Sequence, residues 1–228
     1  MRDNRKNQQY WNDLKAQLRK SLDTIAQAAS ADGISARMRT RMKLRDHNNS
    51  FNFFLASYSA GDDLRTCREL YMQCLHKAEE IWELKTDYVD LIRYVSLGVL
   101  FGVNPGEAGI LSRMVNVSGY ADRLLCAMLR SLDPTCPLKE CDSVPAPYDK
   151  AAAVLDMDRA EAENALVRYL NKDWYLGHRT CLWYDEHKRD DFTYLGYWSF
   201  EAAALVKILG LDDRELAAAP YYPPELAD

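Results

Sequence analysis

The chain has 228 residues, of which 48% are hydrophobic and 28% charged, an ordinary globular composition that excludes a disordered, collagen-like or rod-forming chain. The longest strongly apolar stretch, near residues 95–103, is too short to cross a bilayer, and residues 1–20 lack the apolar core of a secretory signal. We therefore expect a cytoplasmic protein whose six cysteines are thiols.

Charge is distributed unevenly along the chain. Residues 1–46 carry eleven Lys and Arg against five Asp and Glu, a net charge of +6. Residues 140–228 carry nine against eighteen, a net charge of −9. An acidic C-terminal part binds nucleic acid poorly and offers a surface to a basic partner.

Apolar residues recur with helical periodicity through the N-terminal two thirds, and the scarce glycines and prolines cluster at breaks. Asn104 followed by Pro105 is typical of an N-cap with proline at the first helical position. The predicted helices run from about Asn7 to Ala29, from about Arg37 to Ser59, over 64–82, over 87–101, after Asn104, and from Ser118 to Leu132.

Residues 133–148 hold four of the eight prolines and predict a connection between two parts of the fold. Beyond it, Asp158 with Glu161 forms a capping box that opens a helix to about Asn171, and a last long helix is predicted over Tyr194–Leu209. We predict an all-α fold of two helical bundles packed together. Its parts are an N-terminal helical region (1–132), a proline-containing connection (133–148) and a C-terminal helical region (149–228).

A metal site is the sharpest enzymatic hypothesis, since the chain contains no phosphate-binding glycine loop, nucleophile elbow or HExxH motif. His178, Cys181 and His187 lie within ten residues, with Asp185 or Asp191 as a fourth ligand. This leaves a metal-dependent hydrolase as an alternative. The competing interpretation is an aromatic-lined turn whose histidines bond to the backbone.

A second alternative is a helical regulator that binds nucleic acid through the basic residues 37–45. The cations are Arg37, Arg39, Arg41, Lys43 and Arg45. At 100° per residue they spread around the helix and form no single stripe. A solvated charge run is the competing interpretation.

Glu201 stands among apolar neighbours on the last predicted helix. Burying a carboxylate without a partner is costly, so we expect an ion pair with an arginine such as Arg168 or Arg179. A catalytic acid with a raised pKa is the alternative.

Several segments resemble the PoNi family, immunity proteins paired with PoNe-type polymorphic DNase toxins that interbacterial secretion systems deliver. The resemblance spans nearly the whole chain in the right order and leaves the particular toxin open. Its C-terminal part rests on LVRYLNKDWY (166–175), WYDEHK (183–188), YLGYWSFEAAALVKILGLDDREL (194–216) and YYPPEL (221–226). Its N-terminal part rests on MRD (1–3), YSAGDDL (58–64) and YVSLGVLFG (94–102).

The resemblance implies an all-helical inhibitor, not an enzyme, that neutralises a DNase toxin in interbacterial competition, with type VI secretion as a delivery route. It implies no cofactor, no metal and no direct contact with nucleic acid. The family motif would serve the fold through Gly196, Tyr197, Trp198, Phe200 and Glu201. An exposed aromatic helix would support a homodimer, which the sequence leaves open.

The stretch WYDEHKRDD (183–191) is the predicted toxin-binding segment. A DNase must be basic where it holds phosphates, so acidic side chains compete for the same surface. Trp183 or Tyr184 would supply an apolar anchor. The acids that would replace DNA phosphates are Asp185, Glu186, Asp190 and Asp191, with Asp212 and Asp213 as rivals.

Overall fold

The computed structural model describes residues 1–84, 87–136, 138 and 143–227, and within them the chain is helical and contains no strand. The all-α prediction is confirmed. Residues 137 and 139–142 of the predicted connection lie outside the described residues. The helices, in chain order, are α1 (Gln8–Ala29), α2 (Ala36–Ala60), α3 (Leu64–Glu79), α4 (Tyr88–Phe101), α5 (Pro105–Ser118), α6 (Arg123–Leu132), α7 (Tyr148–Ala152), α8 (Arg159–Arg168), α9 (Trp174–Gly177), α10 (Phe200–Leu209) and α11 (Pro224–Ala227).

Shorter helical turns complete the described chain. A π-helical turn follows α8 directly at Tyr169–Asp173. Turns of 3-10 helix occupy Trp82–Leu84, Ala153–Asp156, Glu186–Lys188 and Leu216–Ala218. No helix in the described ranges is long and apolar enough to cross a membrane.

The chain divides into two compact units, each built from segments distant in sequence. The N unit comprises Met1–Leu84 with Asp185–Tyr197, and the C unit comprises Lys85–Tyr184 with Trp198–Asp228. The division predicted at residues 133–148 stays a prediction. The return of residues 185–197 to the N-terminal helices is invisible in the sequence, because it depends on pairing between distant segments.

In the N unit, α2 packs against both α1 and α3. Asn7 caps α1 by accepting a hydrogen bond from the Tyr10 amide, and Ser35 caps α2 in the same way. Gly61 ends α2 with a left-handed φ of 93°, as glycine permits. The largest fully buried side chains of this unit are Trp11, Tyr58, Tyr71, Tyr194 and Phe54.

The segment 185–197 is fastened to the N-terminal helices by side chains that bond to its backbone. The Tyr10 hydroxyl donates to the Tyr194 carbonyl (2.9 Å) and Ser59 Oγ to the Leu195 carbonyl (2.7 Å). The helix predicted over Tyr194–Leu209 is therefore wrong in its first six residues and begins at Phe200. Gly196 has a φ of 99°, outside the helical range.

In the C unit, α10 packs against α4, which is buried on nearly all sides. The predicted cap at Asn104 is confirmed, and it forms a full capping box with Glu107. The capping box at Asp158 is also confirmed. These caps satisfy amides that the first helical turn leaves without a partner.

The helix predicted from Ser118 to Leu132 is wrong at its start. Ser118 is the last residue of α5, which Gly119 ends with a φ of 70°. Asp122 caps α6 instead, because its Oδ1 accepts from the Leu124 amide (2.9 Å) and the Leu125 amide (3.0 Å). Asp122 thereby satisfies two of the amides that the first turn of α6 leaves without a partner.

Candidate functional site

Glu201 lies at the centre of a buried polar cluster in the C unit and is 2% exposed. Its Oε1 accepts from the Tyr169 hydroxyl (2.9 Å), Trp174 Nε1 (2.7 Å) and Ser199 Oγ (2.7 Å). Tyr169 and Trp174 stand at the start of the π-helical turn and directly after it. π-turns are rare and change which side chains share a helix face. Here the turn lets Tyr169 and Trp174 donate to the same carboxylate oxygen.

The predicted ion pair between Glu201 and an arginine is wrong. Neither Arg168 nor Arg179 bonds to Glu201 in the described chain, and three neutral donors hold the carboxylate instead. Burial raises the pKa of Glu201, while the hydrogen bonds from Ser199 and Tyr169 oppose that shift. The carboxylate therefore provides the acceptor for three buried donors in the core of the C unit.

His178, the first candidate metal ligand, is committed to the core of the C unit. Its Nδ1 lies 2.6 Å from the Trp174 carbonyl, and its Nε2 lies 2.7 Å from the Tyr148 hydroxyl. Nδ1 therefore donates and Nε2 accepts, the pattern of a neutral imidazole. Burial lowers the pKa of His178 to about 4. Both ring nitrogens are occupied, which leaves neither for a metal.

The other two candidate ligands have their own neighbours. Burial raises the pKa of the Cys181 thiol, which disfavours the thiolate that binds metals. In the N unit, His187 Nδ1 lies 2.9 Å from the Tyr197 hydroxyl. Over the described ranges, three or more His, Cys, Asp or Glu side chains nowhere come together in a way that would hold a metal ion. The hydrolase alternative therefore has no geometric support.

The predicted aromatic anchors are engaged in packing within the C unit. The Trp183 ring lies 5.7 Å from that of Trp174, and the Arg93 guanidinium lies 5.4 Å from its centre. Tyr184 stacks on Tyr175 at 4.5 Å. Leu182, which directly precedes Trp183, is by contrast 97% exposed. Sequence reasoning missed Leu182, because an apolar residue beside a tryptophan predicts burial.

Two acids of the predicted segment are paired within the N unit. Asp185 accepts from Lys188 Nζ at 2.8 Å. Asp191 accepts from an Arg189 terminal nitrogen at 2.6 Å and from Thr193 Oγ1 at 2.5 Å, and the Thr193 bond contributes most to lowering its pKa. Exposed pairs of this kind are worth about 1 kcal/mol or less, so a partner's cation can replace the local one.

The other two acids of the segment differ in exposure. Asp190 is exposed and makes no ion pair or hydrogen bond in the described part of the chain. Glu186 is half-buried, and burial raises its pKa. Asp190 is therefore the most accessible negative charge in the segment.

The rival acids of the C unit follow α10. Asp212 accepts from Arg214 Nε at 2.8 Å, and hydrogen bonds from Arg214 lower the pKa of Asp212 to about 2. Its amide donates to Glu163 Oε1 at 2.8 Å, which ties this loop to α8. The Asp213 carboxylate accepts a long bond, 3.4 Å, from the Tyr222 hydroxyl, and within the described residues this half-exposed acid makes no ion pair.

The basic residues 37–45 all lie on α2. Lys43 pairs with Glu80 at 2.7 Å. Arg37, Arg39, Arg41 and Arg45 are exposed and unpaired in the described chain. Among the described residues four cations of α2 are thus free: Arg37, Arg41 and Arg45 recur at four-residue steps and share one face, and Arg39 lies on another.

These features define an all-α protein whose buried polar groups serve its core and whose free charges lie at the surface. The chain belongs to the family of PoNe immunity proteins (PoNi): residues 3–111 match the N-terminal model of that family and residues 120–226 the C-terminal model. Members of the family are inhibitors and not enzymes. The protein therefore has a toxin-neutralising immunity function, and its partner is a PoNe toxin.

Two further comparisons complete the picture. A search of curated proteins finds no match. The crystal structure of protein PA2201 from Pseudomonas aeruginosa is similar, with 19% sequence identity and a TM-score of 0.72 over 100% of this chain and 90% of that one. At this identity the likeness shows a common fold.

Proposed function

We propose that this immunity protein binds a DNase toxin in the bacterial cytoplasm and blocks it sterically and electrostatically through acidic surface residues. The observation that carries the proposal is the family match across both halves of the chain. The DNase chemistry and the type VI route follow from the resemblance of the motifs at 166–226.

The charge of the C unit supports an electrostatic contribution. Residues 85–184 and 198–228 carry thirteen Lys and Arg against nineteen Asp and Glu, a net charge of −6, whereas the N unit is close to neutral at +1. A nuclease concentrates cations where it holds phosphates. Complementary fields accelerate encounter, and speed matters for an inhibitor that competes with a chromosome.

Two accessible acids are the first candidates for contact, one in each unit. In the described chain Asp190 is exposed and unpaired, and Asp213 makes no ion pair. The paired acids Asp185, Asp191 and Asp212 can exchange a local cation for one of the toxin, at a net gain reduced by the pair they give up. Each acid therefore contributes through the rate of association more than through final affinity.

Leu182 is the proposed apolar contact in the C unit. A leucine that is 97% exposed gains little from folding, and interfaces derive most of their energy from a few apolar groups that become fully desolvated. The next two residues in the chain, Trp183 and Tyr184, are held by ring contacts with Trp174 and Tyr175. Anchoring of the neighbouring residues reduces the ordering cost of binding.

Co-expression tests the function directly. Cells that express a PoNe-type DNase should survive when this protein is present and die with an intact but unrelated helical protein. Failure to rescue any PoNe-type DNase, including one encoded beside this gene, would overturn the proposal.

Matched pairs of variants test the surface. With a neutralised toxin in hand, Asp190→Asn should slow association several-fold and flatten its salt dependence, whereas Asp23→Asn, an exposed acid on α1, should change neither. Leu182→Ser should weaken affinity by about tenfold or more, and Val117→Ser, also exposed, should not. Equal effects within either pair would place the interface elsewhere while leaving the immunity function intact.

A further inference from the structure

A groove runs between α1 and α2 in the part of the N unit that precedes its buried core. It encloses about 600 Å³. The buried residues of α2 begin only at His47, and Ile25 is the sole buried residue in the second half of α1. Over residues 17–45 the two helices therefore pack on each other and leave one face of the pair uncovered.

The groove has an apolar floor and a cationic rim. Ile25 of α1 and Met38 and Met42 of α2 provide the floor, and Met38 is 49% exposed. Lys20, Arg41 and Arg45 provide the rim. No acidic side chain lines the groove, and these three cations have no ion pair among the described residues.

The spacing of the lining positions fits a helix as the occupant. They recur every three or four residues, from 17 to 28 on α1 and from 38 to 45 on α2. Such rows are the ridges between which a third helix packs. Eleven residues at 1.5 Å each give a groove about 16 Å long, enough for about three helical turns.

We propose that this groove is the docking site for an acidic amphipathic helix of a partner protein. The partner's apolar face would cover Met38 and Met42 above the buried Ile25, and its carboxylates would pair with the three cations. This is the helix-in-groove mode of recognition, in which methionines adapt to the apolar side chains they receive. The inference does not depend on the DNase proposal, because this cationic groove selects an acidic partner, whereas the proposed toxin contacts are acidic and select a basic one.

The apolar floor distinguishes this occupant from nucleic acid. Phosphate backbones bind to cations and polar donors and gain nothing from desolvating methionine and isoleucine. A helix with leucines on one face gains from the floor and the rim together. The remaining free cations of α2, Arg37 and Arg39, do not line the groove, and they provide a matched control.

The test uses the full chain and a fluorescent peptide of about fourteen residues, with leucines at positions i, i+3, i+4 and i+7 and glutamates elsewhere. Binding is measured by fluorescence anisotropy at low salt. The peptide should bind, and the same peptide with lysines in place of glutamates should not. Arg41→Glu with Arg45→Glu should weaken binding by about tenfold or more, and Arg37→Glu with Arg39→Glu by less than about twofold.

The floor is tested separately. Met38→Gln should weaken binding of the glutamate peptide by about fivefold, whereas Met157→Gln, also an exposed methionine, should leave it unchanged. Circular dichroism and thermal unfolding confirm that each variant is folded. Absence of peptide binding would overturn the proposal, as would equal loss in the two double variants. A 12-base-pair DNA duplex that binds more tightly than the peptide through Arg41 and Arg45 would also overturn it and assign the groove to nucleic acid.

Discussion

Replacing Glu201 with alanine should lower the free energy of unfolding by about 4 kcal/mol. The change leaves the Tyr169 hydroxyl, Trp174 Nε1 and Ser199 Oγ without their acceptor. Each buried donor without a partner costs about 1–3 kcal/mol, and the serine hydroxyl can rotate toward another acceptor. For a chain of this size each kcal/mol lowers Tm by about 2–4 °C, so the expected fall is about 8–16 °C.

Glutamine at the same position should behave differently, because no cation compensates Glu201. Glu201→Gln weakens the hydrogen bonds but also removes a buried charge, and these effects oppose each other. We expect a net change below about 1.5 kcal/mol at neutral pH, since no arginine is left uncompensated. The glutamine variant therefore separates a carboxylate held by neutral donors from a buried ion pair.

The stabilities of the wild type and of Glu201→Gln should also depend differently on pH. Burial raises the pKa of Glu201 in the folded state, so the wild type loses stability as pH rises from the unfolded value of about 4.3 through the raised folded value. The glutamine variant does not titrate in this interval. It should therefore gain stability relative to the wild type as pH rises above about 4.3.

Urea unfolding followed by circular dichroism measures these differences between pH 4 and pH 8. Glu69→Ala, on the exposed face of α3 beside Arg65, is the control and should change stability by less than about 0.5 kcal/mol. A loss of about 3 kcal/mol or more for Glu201→Gln at neutral pH would refute the reasoning, because only a buried cation left unpaired would explain it.

Three further predictions concern the C unit. Burial lowers the pKa of His178 to about 4, so this side chain should contribute a loss of about 2 kcal/mol of stability between pH 7.5 and pH 5, as the unfolded histidine takes up a proton first. The contribution is measured in urea as the difference between the wild type and His178→Gln, and a difference that does not change with pH would contradict it. Tyr88→Phe removes the 2.6 Å bond to Asp122 Oδ2 and should cost about 2 kcal/mol by the same measurement, whereas an unchanged midpoint would mean that the Asp122 caps suffice. Asp158→Ala breaks the capping box of α8 and should lower the free energy of unfolding by about 1 kcal/mol, an effect that Asp158→Asn should largely avoid.

Part of the candidate site was within reach of the sequence. The acidity of residues 185–191 is a matter of composition, and the burial of Glu201 follows from its apolar neighbours on α10. The hydrogen-bond partners of Glu201 could not be predicted, because Tyr169 and Trp174 come together through a π-helical turn that leaves no periodic pattern in the sequence. Leu182 was missed for a related reason: exposure depends on which side of a turn the packed residues occupy.

The sequence by itself determined the helical class, the family and several helix ends. Helix ends at Asn104 and Asp158 were predictable because a capping box is made of residues three apart, whose geometry is local. Only the tertiary structure decided that residues 185–197 join the N-terminal helices and that α10 begins at Phe200. The physical reason is that the hydroxyls of Tyr10 and Ser59, more than 130 residues away, donate hydrogen bonds to the carbonyls of Tyr194 and Leu195. Such long-range bonds outweigh local helical propensity.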